Sequence, residues 1–186
     1  DMNSATCNVD QIRIRYREVG TTTYSNKTMG VPVGSGCNTA NTDCSTYYLI
    51  RHAEKVRLDP DNKDPELNEA GKKRATVWQE YFNNLGIHHV YSTDYKRTMQ
   101  TALPFASSNE LKINIYSPSK INYEEFLVTT TGNKVLIVGH SDTTPTFANE
   151  LIKENVYPQM DDSNNSNLYI VSICGDERNH EVIKIN

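Results

Sequence analysis

The sequence predicts an α/β domain, a three-layer α/β/α arrangement around a mostly parallel sheet, preceded by an N-terminal β-hairpin and loop extension. Three observations predict it. Apolar, β-prone runs alternate with segments of helical spacing from Thr46 onward. Two of those runs, residues 47–50 and 135–138, are continuously apolar, as strands buried on both faces are. Each run stops abruptly at a polar turn that carries a histidine: Arg51-His52-Ala53-Glu54 after the first and Gly139-His140-Ser141-Asp142 around the second. Ligands of open α/β sheets bind at the carboxyl ends of strands, so two histidines at two such ends are natural partners for one anionic substrate.

The elements follow in order. Residues 11–17 alternate polar and apolar, as a half-buried strand does, and residues 21–24 are a candidate partner. Residues 31–44 are a Gly/Asn/Thr-rich loop. This reads as an extension over residues 1–45 attached to a domain at 46–186. Residues 46–50 form the first core strand, and the turn-rich loop 59–65 lies after it. Asn68 is a candidate N-cap for a helix with Ala70, Val77, Trp78, Tyr81, Phe82 and Leu85 at helical spacing, stopped by Gly86. A short strand at 87–91 precedes a second helix, capped by Asp94, with Met99, Ala102, Leu103 and Ala106 inward. Residues 113–116 read as an edge strand and residues 121–130 as a helix. Thr144-Pro145 opens another helix, with proline in its first turn. Residues 168–173 and 182–185 are the last strands.

Composition narrows the function classes. A chain of 186 residues is one ordinary domain with a tail. Its net charge of -4 argues against a general binder of nucleic acid or membrane surfaces, which would be basic. No apolar run approaches the roughly 18 residues that span a bilayer. Three of the four cysteines, Cys7, Cys37 and Cys44, fall in the polar, loop-rich N-terminal segment, and the fourth is Cys174. One or two disulfides pinning that segment are expected, which favours an oxidising, extracytoplasmic compartment, periplasmic or secreted; free thiols in a cytosolic protein are the competing reading. All three full pairings stay open. Zinc is disfavoured because close Cys or Cys/His pairs are missing, and adjacent His88 and His89 on a strand point to opposite faces.

Four segments carry a family resemblance. They are Arg51-His52-Ala53-Glu54; Leu67-Asn68-Glu69-Ala70-Gly71; Ser92-Thr93-Asp94-Tyr95-Lys96-Arg97-Thr98-Met99-Gln100-Thr101-Ala102; and Gly139-His140-Ser141-Asp142-Thr143-Thr144-Pro145. In this order and spacing the chain resembles the histidine phosphatase superfamily, of phosphoglycerate-mutase-like fold, in its small phosphatase branch, over about residues 46–185. The resemblance implies His52 as a nucleophile that forms a phosphohistidine, Arg51 and Arg97 as phosphate clamps, and His140 as a further phosphate-binding donor. Those residue types suit the chemistry. A phosphoryl group needs a nucleophile, cations for its equatorial oxygens and a proton for the leaving group. Arginine offers a bidentate fork that lysine lacks. The general acid is less defined: Asp142 and Glu54 are candidates, and Glu124 matches the family's usual position loosely. Lys55 and Lys96 read as solvated charges or as partners for a substrate's distal charge.

The expected function is a metal-independent phosphatase, without cofactor, acting on a small phosphorylated substrate. It would hydrolyse a phosphomonoester or a phosphohistidine through an intermediate on His52. A non-catalytic domain that binds phosphorylated ligands or a partner on the same fold is the alternative, and a phosphoglycerate-type mutase ranks below both. Substrate, oligomeric state and the role of residues 1–45 stay open at this point.

Overall fold

The computed structural model describes residues 13–17, 24–28 and 44–186. The chain divides into two units, residues 1–40 and 41–186. In the first, β1 (Arg13–Arg17) pairs antiparallel with β2 (Tyr24–Thr28), Arg13 opposite Thr28. The expected partner of residues 11–17 thus lies at 24–28, and Thr21 to Thr23 lie outside the described residues.

The second unit holds a six-stranded sheet of β3 (Ser45–Arg51), β4 (His89–Ser92), β5 (Ile113–Ile115), β6 (Lys134–Gly139), β7 (Asn167–Cys174) and β8 (Glu177–Lys184). Its order is β5-β4-β6-β3-β7-β8. The first four in that order are parallel, whereas β7 runs antiparallel to β3 and β8 antiparallel to β7. The β7–β8 reversal turns on Gly175 at φ +61, a conformation that glycine adopts without a Cβ penalty. Four helices cover the sheet: α1 (Glu69–Phe82), α2 (Lys96–Ser108), α3 (Tyr123–Thr129) and α4 (Thr143–Ile152).

Strand alternation splits the core in two. Tyr48 and Ile50 of β3 face Trp78, Phe82 and Phe105 from α1 and α2. Tyr47 and Leu49 face Phe126, Phe147 and Leu151 from α3 and α4. The three layers follow from that alternation.

Local details correct some expectations. Asn68 does cap α1, its side chain accepting from Gly71 N at 2.9 Å, but the helix ends at Phe82, and Gly86 completes the following turn at φ +66. Asp94 does not cap α2. The N-cap is Tyr95, and the amide of Lys96 donates instead to the Asp64 carboxylate at 2.8 Å, so the loop before α1 supplies the missing acceptor. The inward stripe of α2 is Thr98, Thr101, Ala102, Phe105 and Ala106, with Leu103 turned outward at 52% exposure. The helix is rotated so that two threonine hydroxyls reach the strand ends. Thr101 Oγ1 accepts from Ala53 N at 2.9 Å and donates to Arg97 O at 2.7 Å.

Cys44 and Cys174 form a disulfide with Cα atoms 4.4 Å apart. They sit one step beyond the Ser45–Ile173 pair, at the spacing of a non-hydrogen-bonded antiparallel pair. The bond therefore ties β3 to β7 within the second unit. One of the expected disulfides is thus present, made by the last cysteine of the N-terminal segment, and Cys7 and Cys37 lie outside the described residues. No helix among the described residues is long and apolar enough to cross a membrane.

Candidate active site

Parallel pairing sets Arg51 beside Gly139, so the residues that follow, His52 and His140, emerge side by side at the carboxyl ends of β3 and β6. The turn is fixed by His52 N donating to Gly139 O at 2.9 Å. The two rings lie 5.6 Å apart, centre to centre. They open on a cavity of about 850 Å³ whose walls include Arg51, Arg97, Thr93, Tyr95, Lys55, Tyr116 and Asp142.

His52 is buried, and its Nδ1 lies 2.7 Å from the carbonyl of Ala53. A carbonyl only accepts, so Nδ1 carries the proton and Nε2 keeps a free lone pair. Burial first, then the positive charges of Arg51 and Arg97, lowers the His52 pKa to about 3, against the carbonyl of Ala53, which favours the protonated form. The imidazole is therefore neutral at ordinary pH, the form that can attack an electrophile.

His140 is oriented by the opposite logic. Arg97 Nη2 approaches its Nδ1 at 3.4 Å, and a guanidinium only donates. Nε2 then donates to Thr93 Oγ1 at 2.9 Å, and that hydroxyl donates to Thr98 Oγ1 at 3.0 Å. Thr98 closes the chain on the carbonyl of Tyr95 at 2.9 Å. Burial and the Arg97 charge lower the His140 pKa to about 4. Arg97 itself stacks over the Tyr95 ring, 4.3 Å from its centre, and lies 3.8 Å from Asp64.

Arg51 is only 2% exposed. Its Nη1 donates to the carbonyls of Asp161, Asp162 and Asn164 at 2.9–3.2 Å, and its Nη2 to Asp162 Oδ1 at 2.6 Å. The other oxygen of Asp162 holds Arg57 at 2.6 Å, and the two arginines keep the Asp162 carboxyl well below the usual carboxylate range. The Nε atoms of Arg51 and Arg97 are buried without a hydrogen-bond partner among the described residues. The loop 158–166 straps the site together: Met160 N donates to Ser141 O and Asn165 Nδ2 to His52 O, each at 2.8 Å.

The structure brings Arg51, His52, Arg97 and His140 into one cavity. Of the candidate acids, Asp142 stands on its wall, where it caps α4 by accepting from Thr143 N at 2.8 Å. Glu54 does not. It accepts from Arg74 Nε at 2.8 Å and lines a neighbouring cavity instead. Glu124 sits exposed in the first turn of α3, and it is Tyr116, Ser117 and Ser119 that reach the wall from that part of the chain. His88 accepts from Lys134 N at the base of the sheet, and His89 opens β4. Sequence reasoning assigned no role to Thr93, although it follows β4 as His140 follows β6. It had no signal for Asp162, which arrives on a long irregular loop.

The arrangement sets a neutral, oriented imidazole among cationic side chains at the strand ends of an α/β sheet. Residues 47–117 match the sequence profile of the histidine phosphatase superfamily (branch 1). A 70-residue stretch is 34% identical to Phosphoserine phosphatase 1 of Hydrogenobacter thermophilus, covering 35% of this chain and 33% of that protein. The match thus spans about a third of that relative's length. Solved structures share the fold at low identity. A candidate alpha-ribazole-5'-P phosphatase from Escherichia coli aligns with TM-score 0.62 and 14% identity over 76% of this chain and 96% of its own. A candidate phosphohistidine phosphatase, SixA from Agrobacterium tumefaciens, aligns with TM-score 0.55 and 19% identity over 75% and 98%. The match to the superfamily covers residues 47–117, and the fold is the phosphoglycerate-mutase-like fold of these solved structures.

Proposed function

We propose that this domain is a metal-independent phosphatase that hydrolyses a phosphomonoester or a phosphohistidine through a covalent phosphohistidine on His52. One observation carries the reading: His52 is buried and neutral, its Nδ1 proton is spent on Ala53 O, and it sits among Arg51, Arg97 and His140. The names of its relatives, a phosphoserine phosphatase and a phosphohistidine phosphatase candidate, support the same substrate chemistry.

In the first step the Nε2 lone pair attacks phosphorus in line, a P–N bond forms and the P–O (or P–N) bond to the leaving group breaks. Arg51 and Arg97 take up charge on the equatorial oxygens, and His140 joins them by turning its Nε2–H from Thr93 to the phosphoryl group. Asp142, the candidate acid on the cavity wall, gives the leaving group its proton. It then takes one from the water that attacks the phosphohistidine, which releases inorganic phosphate and restores His52.

Hydrolysis of p-nitrophenyl phosphate between pH 4 and pH 8, with EDTA present, tests this. Wild type is expected to turn over and His52→Ala to lose activity. Activity surviving in that variant would remove His52 as nucleophile. Asp142→Asn is expected to slow alkyl phosphates by about 10²–10⁴ and to change the aryl phosphate little, because that leaving group departs without a proton.

A further inference from the structure

The His52 cavity and its neighbour meet at a wall shared by Lys55 and Asp162. The neighbour, of about 480 Å³, is also lined by Arg57, Asn68 and Ser163. Charges around this wall are paired with one exception. Arg51 and Arg57 share Asp162, Arg74 holds Glu54, and Arg97 lies near Asp64. The Lys55 ammonium has neither a hydrogen bond nor an ion pair with any described residue, although it is half-buried. The root of its side chain is fixed, since Lys55 bridges to Leu67 and its carbonyl accepts from Asn68 Nδ2 at 3.3 Å. Burial and the like charges of Arg97 and Arg57 disfavour its protonated form. An ammonium held there costs free energy that an incoming anion relieves.

The phosphoryl end of a substrate already meets two arginines and His140, which leaves Lys55 to whatever lies beyond it. The acids of the second cavity do not repel an anion strongly. Glu54 and Asp162 are both engaged by arginines, and at the shared wall Arg51, Lys55 and Arg57 face the single carboxylate of Asp162. We propose that Lys55 binds a second anionic group of the substrate, a carboxylate or a second phosphate, on the part of the molecule that runs from the His52 cavity into its neighbour. This rests on the phosphatase reading and narrows its substrate class to phosphomonoesters bearing a second acidic group.

Affinity of the whole chain, read as competition in initial rates of p-nitrophenyl phosphate hydrolysis, tests it with three probes that each carry a phosphoryl group: ethyl phosphate, phosphoglycolate and ethylene glycol bisphosphate. Wild type is expected to bind one of the two doubly acidic probes about 10- to 100-fold more tightly than ethyl phosphate, the scale of one charge-assisted hydrogen bond. The tighter of the two identifies a carboxylate or a phosphate as the second group. Lys55→Met should erase that preference and leave ethyl phosphate binding unchanged, and Lys55→Arg should keep most of it. Equal affinity of wild type for all three probes would overturn the proposal. Weakening of ethyl phosphate by Lys55→Met to the same degree would also overturn it, by making Lys55 a ligand of the phosphoryl group itself. Loss of ethyl phosphate binding in every protein would instead overturn the phosphoryl site on which the proposal rests.

Discussion

His52 and His140 are held neutral by burial and by the arginines around them, with pKa values near 3 and near 4 against an ordinary 6.5. The sign of the resulting pH dependence is fixed. Between pH 6.5 and those values the unfolded chain binds more protons than the folded one, so stability falls as pH drops through that window. Thermal melts of wild type should therefore decline from about pH 6.5 downward, and His52→Asn should shallow that decline. The same depression predicts that the acid limb of kcat/KM due to His52 has its midpoint at about pH 4 or below, once the substrate's own ionisation is allowed for. A midpoint near 6.5 would contradict the buried, neutral imidazole. Asp162 makes a second prediction at this scale. It occupies one edge of Arg51, yet three carbonyls already hold that guanidinium on its other nitrogen. The carboxylate is 66% exposed and has Arg57 as an alternative partner. Asp162→Asn is thus expected to tighten inorganic phosphate binding by about tenfold, as removing a competing charged acceptor should. Weaker binding would show that Asp162 orients Arg51 rather than competing for it.

The elements were legible in the sequence where residue pattern and packing coincide. The two strands that carry the histidines are buried on both faces, so continuous apolar runs marked them and polar turns marked their ends. The stripe of α2 was misjudged because its inner face is partly hydroxylic: Thr98 and Thr101 are buried through hydrogen bonds, while apolar Leu103 faces solvent. Asp64, Asp162 and Tyr116 reach the site from loops or strand ends whose paths depend on tertiary contacts, and a linear pattern holds no period for them. Glycine at position 71 shows what the second motif contributes. A Cβ there would lie 2.1 Å from the backbone oxygen of Glu54, so α1 lies hard against the turn that follows His52. Gly71→Ala is expected to destabilise the fold by about 1–3 kcal/mol, the range for overpacking, and to lower kcat by displacing that turn. Unchanged urea midpoint and turnover would show that the two backbones separate without cost.

Across the whole second unit, the disulfide and the candidate site lie at opposite ends of β3. Cys44 precedes the strand and His52 follows it, roughly 25 Å apart for eight residues of extended chain. The bond closes a separation of 130 residues, which restricts the unfolded chain more than it shapes the site. Reduction, or the double substitution Cys44→Ser with Cys174→Ser, should lower stability by about 2–5 kcal/mol and leave KM at moderate temperature close to wild type. A large change in KM with little loss of stability would mean that the disulfide sets the strand register at the site.

The central claim, that His52 carries the phosphoryl group, is met most directly by rapid-quench trapping. Wild type mixed with p-nitrophenyl phosphate and stopped in base should hold a phosphoryl group on the peptide containing His52. That group should be lost in acid, as a P–N bond is, and be absent from His52→Ala. Turnover without any such adduct, or an adduct on another residue, would contradict the account.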